Sequence, residues 1–290
     1  LVFTAGIACG LLYPDLALRL EFLLIPLLVA ALTLSLKRID AGFGSIFESR
    51  QGLKGAFLSL LLGCLIYVCS LVFVNDPDFH AGFTVMAFVP PAIAVVPFTV
   101  LLNGNLKLTV RGEVTSYLLA LIFTPILVWF FTGGVVDISY MLEMVAVLIA
   151  LPLAVSRILR SRGIVGNEWD KSFINSCFFL VNYVMIGSVR VQLFESLDLL
   201  PWVFLVLFIR TFLAGTIALL FFSKTVGQGD AVSYTLFSSF KNAGLASVTA
   251  YYLFSPEAAL PPVLSASFAV GFMILLKFIV DCGFIFPKKK

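Results

Sequence analysis

Charge is scarce in this sequence: Asp, Glu, Lys and Arg make up 12% of its 290 residues, where soluble domains carry about 25%. So few ionised side chains cannot solvate a surface, which excludes a soluble globule. Histidine is scarcer still, with His80 the single copy, so neither a histidine metal site nor a cofactor is expected. The five cysteines, Cys9, Cys64, Cys69, Cys177 and Cys282, lie in apolar runs without CxxC spacing. That excludes the usual zinc and thiol–disulfide motifs, and they read as small buried apolar side chains. The net charge of +3 is not gathered into a basic face, so nucleic acid is not a partner. No basic segment precedes the first apolar run and no small-residue cleavage site follows it, so no cleavable signal peptide is expected. Leu1 in place of Met reads as a trimmed start with an incomplete first helix.

What is abundant is apolar side chain, 61% of the chain, including thirty Phe. At about 20 apolar residues per crossing, 290 residues hold about ten spans and no soluble domain. The lipid bilayer is therefore the first partner, and one membrane domain over residues 1-290 is the expected organisation. The runs predict spans near 1-13, 16-36, 52-74, 81-103, 106-131, 138-156, 172-194, 199-223, 230-254 and 258-285. Lys37, Arg38, Arg50, Lys54, Lys107, Arg157, Arg160, Arg162, Lys171, Lys224 and Lys288 to Lys290 all fall on one side of that arrangement, 13 of the 19 basic residues. Cytoplasmic loops are enriched in Lys and Arg. Both termini are thus expected in the cytoplasm, in the inner membrane of a bacterial or archaeal cell.

Two spans carry breaks at mid-membrane depth. The fourth holds Pro90, Pro91 and Pro97, each removing a backbone donor; the ninth holds the polar stretch Ser238-Ser239-Phe240-Lys241-Asn242-Ala243-Gly244. Interrupted backbone cannot face lipid, so both breaks belong inside protein or beside a water-filled cavity. They occupy equivalent places in two five-span halves, and an odd number of spans inverts the second half. That is the inverted-repeat plan of secondary transporters with a midplane site.

Along nearly its whole length the sequence resembles the bile acid:sodium symporter family. The first-half match is the run Phe88-Val89-Pro90-Pro91-Ala92-Ile93-Ala94-Val95-Val96-Pro97-Phe98-Thr99, then Leu102-Asn103-Gly104-Asn105 and Thr124-Pro125-Ile126-Leu127. The second-half match is Lys241-Asn242-Ala243-Gly244-Leu245-Ala246, then Phe254-Ser255-Pro256-Glu257-Ala258-Ala259-Leu260-Pro261. The resemblance implies an all-α membrane protein of ten transmembrane helices. Broken helices 4 and 9 would cross in a core domain (about 52-131 and 199-285) beside a panel domain (about 1-36 and 138-194). It also implies an organic anion as substrate, commonly carried with sodium. Aligned on those runs, the family's sodium-site positions fall on Val96, Glu113, Phe237 and Lys241. A hard cation wants several oxygen ligands; Val and Phe supply none from their side chains, and Lys brings a positive charge. The sodium chemistry is therefore not expected here.

Arg111, Glu113, Arg210 and Lys241 lie well inside predicted spans, where a charge costs about 2.5–3.5 kcal/mol on insertion scales. Lys241 is roughly 15–17 Å from either end of its span and Glu113 roughly 12 Å into its own, so this pair is expected to stand in for sodium, as a static brace or as a proton-exchanging couple. Arg210 is as deep and is open to two readings: it bridges to the backbone ends of a broken helix, or it serves Glu113. Arg111 and Lys277 are read as anchors reaching to the interface. Asn175 and Asn182 are two turns apart and expected on one face, with Asn182 read as a substrate contact. The expected substrate site is the crossing, at Pro97, Phe98, Thr99, Asn242, Ala243 and Gly244, with Asn182 across from it. The function expected is alternating-access transport of a small or amphipathic organic anion, sodium-independent, with protons a possible coupling partner. A non-transporting sensor or scaffold is the alternative. No nucleophile and base are placed together, so an enzyme is not expected.

Overall fold

The computed structural model describes residues 2–37, 50–164, 166–283 and 285. Arg38 and the three C-terminal lysines lie outside the described residues, so the expectation for them rests on sequence alone. The helices are α1 (Val2–Leu12), α2 (Pro14–Arg19), α3 (Leu24–Lys37), α4 (Arg50–Phe73), α5 (Pro77–Phe88), α6 (Val95–Leu101) and α7 (Leu106–Phe131). Then α8 (Ile138–Val145) runs through a π-helical turn, Ala146–Ala150, into α9 (Leu151–Ser161), followed by α10 (Glu168–Ser188) and α11 (Arg190–Glu195). After that, α12 (Leu200–Phe208) continues through a second π-helical turn, Ile209–Leu213, into α13 (Ala214–Thr225). Last come α14 (Gln228–Ser239), α15 (Ala243–Leu253) and α16 (Leu260–Cys282). Among the described residues no strand forms, and five helical stretches are long and apolar enough to cross a membrane: Arg50–Phe73, Leu106–Phe131, Ile138–Ser161, Leu200–Thr225 and Glu257–Cys282.

The helix starts are written in local chemistry. Asp76 accepts from the Phe79 N–H at 3.0 Å ahead of Pro77, and Asn105 accepts from Leu108 N–H. Asn167 and Asp170 form a reciprocal capping box at α10, and Asn242 caps α15. Each such cap is worth about 1 kcal/mol. Gly283, at φ 69°, closes α16 in the left-handed conformation that glycine adopts without a Cβ clash.

Several boundaries differ from the sequence expectation: the fourth span starts at Pro77 instead of 81, and the sixth runs on to Ser161 instead of ending at 156. The second span, expected as one helix over 16-36, is α2, a 3-10 turn at Glu21–Leu23 and then α3, because Pro14 starts a separate short helix that ends at Arg19. The seventh starts earlier, on its capping box, and stops at Ser188; the expected 172-194 merged it with α11. The tenth, expected to 285, ends at Cys282.

Packing groups the helices into two sets. Helices α1, α2, α3, α9 and α10 pack on one another, and so do α4, α5, α7, α12, α13, α14, α15 and α16; α10 and α3 also touch α15. Close approach depends on small residues, as helix association in lipid requires. A Cβ on Gly82 of α5 would stand 1.9 Å from the Ala258 carbonyl oxygen, and one on Gly63 of α4 2.1 Å from that of Ala87. At their basic ends α3, α9 and α10 are tied together: Lys37 pairs with Asp170 at 2.9 Å, and Arg160 donates to the Lys37 carbonyl at 3.2 Å.

Candidate functional site

The two breaks meet. Backbone freed by a break needs new partners where water is absent, and three consecutive carbonyls at the first break each find one. Phe88 O accepts from Thr124 Oγ1 at 2.7 Å, Val89 O from Lys241 Nζ at 3.0 Å, and Pro90 O from the Asn242 N–H at 3.1 Å. Pro91 and Lys241 form an antiparallel bridge. On the other side, Asn242 Oδ1 accepts from Leu245 N–H at 3.0 Å while its amide donates to Tyr117 Oη at 2.8 Å. Tyr117 and Thr124, two turns apart on one face of α7, therefore each clamp one break. The interrupted region is narrower than the polar stretch in the sequence, only Phe240 to Asn242 between α14 and α15.

The expected Glu113–Lys241 pair is not made. Lys241, 6% exposed, donates to the Val89 carbonyl at 3.0 Å. Neither carboxyl oxygen of Glu113, fully buried, has a hydrogen-bond partner. The reason is azimuth: Thr109, Glu113 and Tyr117 recur every four residues and share a stripe of α7, which meets the Thr99 and Ser233 hydroxyls at Thr109 and Asn242 at Tyr117. Lys241 instead turns toward α4, where a Cβ on Gly63 would lie 3.4 Å from Nζ. Arg210, 2% exposed in the second π-helical turn, has one long contact, Nη1 to Thr211 Oγ1 at 3.4 Å, and its Nε and Nη2 are unpartnered. Phe237 is fully buried as an apolar plug against Gly55 and Gly112. Of the two expected interface anchors, Arg111 packs beside Gly52 of α4, and Lys277 pairs with Asp281 at 2.6 Å.

The remaining expected site residues divide. Ala243 and Gly244 are partly exposed at the start of α15, and a Cβ on Gly244 would make only ordinary contacts, 3.6 Å to Leu28 of α3 and 3.7 Å to Asn242. On the other broken helix, Pro97 is exposed and Phe98 packs edge-to-face on Phe240 with centroids 5.4 Å apart. Thr99 is fully buried, its hydroxyl held between Val95 O and Thr109 Oγ1, so it braces helices. Asn182 donates to Phe178 O in its own helix at 2.7 Å, and a Cβ on Gly6 of α1 would lie 3.2 Å from its Cβ. Asn175, expected on the same face, is exposed. The α6 start is already satisfied, with Val95 and Val96 N–H groups bonded to Ala92 O and Ile93 O. Sequence reasoning missed Tyr117, although its four-residue spacing from Glu113 places it on the same face.

The model of the SBF-like CPA transporter family matches residues 16–264, a stretch that takes in both breaks and ends early in α16. No curated protein matches the chain.

Proposed function

The chain belongs to the SBF-like CPA transporter family, a family of membrane transporters related to the bile acid:sodium symporters, and on that premise we propose that it carries a small or amphipathic organic anion by alternating access without sodium. The observation that carries this reading is the Lys241 bond to the Val89 carbonyl. A fixed ammonium there satisfies break oxygens that a bound cation would otherwise gather, and Phe237 fills a neighbouring position with a ring instead of oxygen. In this reading α5–α6 and α14–α15 are the broken fourth and ninth of ten spans in two inverted repeats. The helices α4–α7 and α12–α16 form the moving core, and α1–α3 with α8–α10 the panel. The basic ends of α3, α9 and α10 face the cytoplasm, in the inner membrane of a prokaryotic cell.

The anion sits at the start of α15. A half-helix N-terminus carries unpaired N–H groups and a positive dipole end, Gly244 leaves its backbone approachable, and Arg210 with Lys241 makes the surroundings positive. Glu113, with no ammonium bound to it, is the group available to exchange a proton during the cycle. Asn242 holds the site's shape through its two bonds, and Asn182 lines the panel side. A second reading, a sensor that binds but does not transport, is favoured by the same Lys241 brace if it never releases. A thermal-shift screen of organic anions selects the ligand, since specific binding raises apparent stability with ligand excess. Flux of that ligand into proteoliposomes then decides: net uptake supports the transporter, and binding without uptake supports the sensor.

A further inference from the structure

A cavity of about 450 Å³ opens between α4 and α7. It is lined by the first break, Phe88 to Pro91, and by Lys241, but not by Ala243 or Gly244, so it is distinct from the anion site proposed at the start of α15. Its outer walls are apolar, Leu53, Phe57 and Leu60 from α4 and Leu119 and Phe123 from α7. Phe57 is 65% exposed and Phe123 43%, so in a bilayer this mouth meets hydrocarbon. The polar side chains of the lining, Lys241, Ser59 and Ser116, are all buried, at the inner end. Ser116 spends its hydroxyl on Gly112 O at 2.7 Å. Ser59, 2% exposed, has a hydroxyl with no hydrogen-bond partner. Lys241 has three N–H donors, of which Val89 O takes one, and among the described residues no carboxylate is bonded to it.

An apolar slot open to lipid, with unspent donors and a positive charge at its inner end, matches one kind of molecule. We propose that this cavity is a lateral binding site for a single-chain amphiphile with an anionic head, a long-chain carboxylate, which enters from the hydrocarbon and seats its head on Lys241 and Ser59. A charged head gains a charge-assisted hydrogen bond at the ammonium, roughly twice as strong as a neutral one, and the chain keeps the walls covered. The volume lies in the lower part of the roughly 300–1,000 Å³ range of small-ligand sites, which suits one chain better than the two of a phospholipid. The proposal is independent of whether the chain transports, because it is read from binding.

The test uses the full chain in phosphatidylcholine nanodiscs and a palmitate analogue carrying a photoactivatable diazirine. Labelling is expected on the peptides covering 53–60 and 119–123. Unlabelled palmitate is expected to cut it at least fivefold, and methyl palmitate or hexadecanol to compete at least tenfold more weakly. Ala120→Trp, which fills the slot and leaves Lys241 in place, and Lys241→Met, which removes the charge, are each expected to reduce labelling at least fivefold; thermal unfolding checks that both variants fold. The wild-type competition arm decides the matter even if a variant does not. Labelling elsewhere, equal competition by the methyl ester, or displacement by phosphatidylglycerol as effective as by palmitate overturns the proposal.

Discussion

Replacing Lys241 by Met removes the ammonium and keeps most of the side chain's length. The structure sets the expected effect. One charged hydrogen bond, 3.0 Å to Val89 O, is lost, worth about 1.5–3 kcal/mol. Against this stands relief from burying an ammonium, several kcal/mol for an ion whose burial is not offset by a partner. Because Glu113 makes no bond to Lys241, the substitution breaks no ion pair. Stability of Lys241→Met is therefore expected within about 1 kcal/mol of wild type, or above it. A true Glu113–Lys241 ion pair predicts the reverse: loss of one partner would cost about 3–5 kcal/mol, and Glu113→Gln would restore much of it. Equilibrium unfolding of Lys241→Met, Glu113→Gln and the double variant in one detergent measures this. The two changes are expected to add to within about 0.5 kcal/mol, as for sites that share no contact. A coupling energy of roughly 2 kcal/mol or more would refute the reading of Lys241 as a lone brace.

Gly82→Ala drives a Cβ to 1.9 Å from Ala258 O, so α5 and the turn before α16 must part; overpacking of this kind costs about 1–3 kcal/mol, read as a lowered unfolding midpoint, and an unchanged midpoint contradicts the packing. Thr99→Val is expected to lower stability by about 1 kcal/mol through its lost hydroxyl bonds and to leave anion affinity nearly unchanged, whereas Gly244→Leu is expected to weaken affinity at least tenfold; the opposite ranking, measured by isothermal titration with the screened ligand, moves the site onto α6. For topology, cysteines placed at Asn75 and Ser161, both exposed, are expected to react with an impermeant maleimide from opposite sides of the membrane, Ser161→Cys from the cytoplasm.

The sequence made the breaks legible because their causes are local. Pro90 and Pro91 cannot donate, and the polar run around Lys241 has no place against lipid. That the breaks touch was beyond composition: the Pro91–Lys241 bridge joins positions 150 residues apart, and nothing short of the packed helices sets that register. Depth along a span was readable from the rise per residue, but azimuth was not. Hence Glu113 and Lys241 look like partners by depth, although Glu113 shares its stripe with Thr109 and Tyr117 while Lys241 turns toward Gly63. The misread second span has a similar origin, since Arg19 and Glu21 are isolated charges in an otherwise apolar stretch and do not by themselves mark where the chain changes direction. The α10 start was legible in principle from Asn167 and Asp170, whose spacing is that of a capping box.

Lys241, by the proposal above, takes the place of the coupling ion. Its consequence is read in initial uptake of the screened anion into proteoliposomes, at fixed pH and fixed ionic strength, with external sodium replaced stepwise by choline. The same rate is expected across the series; a rate that rises steeply and saturates with sodium would show that the ion is still needed.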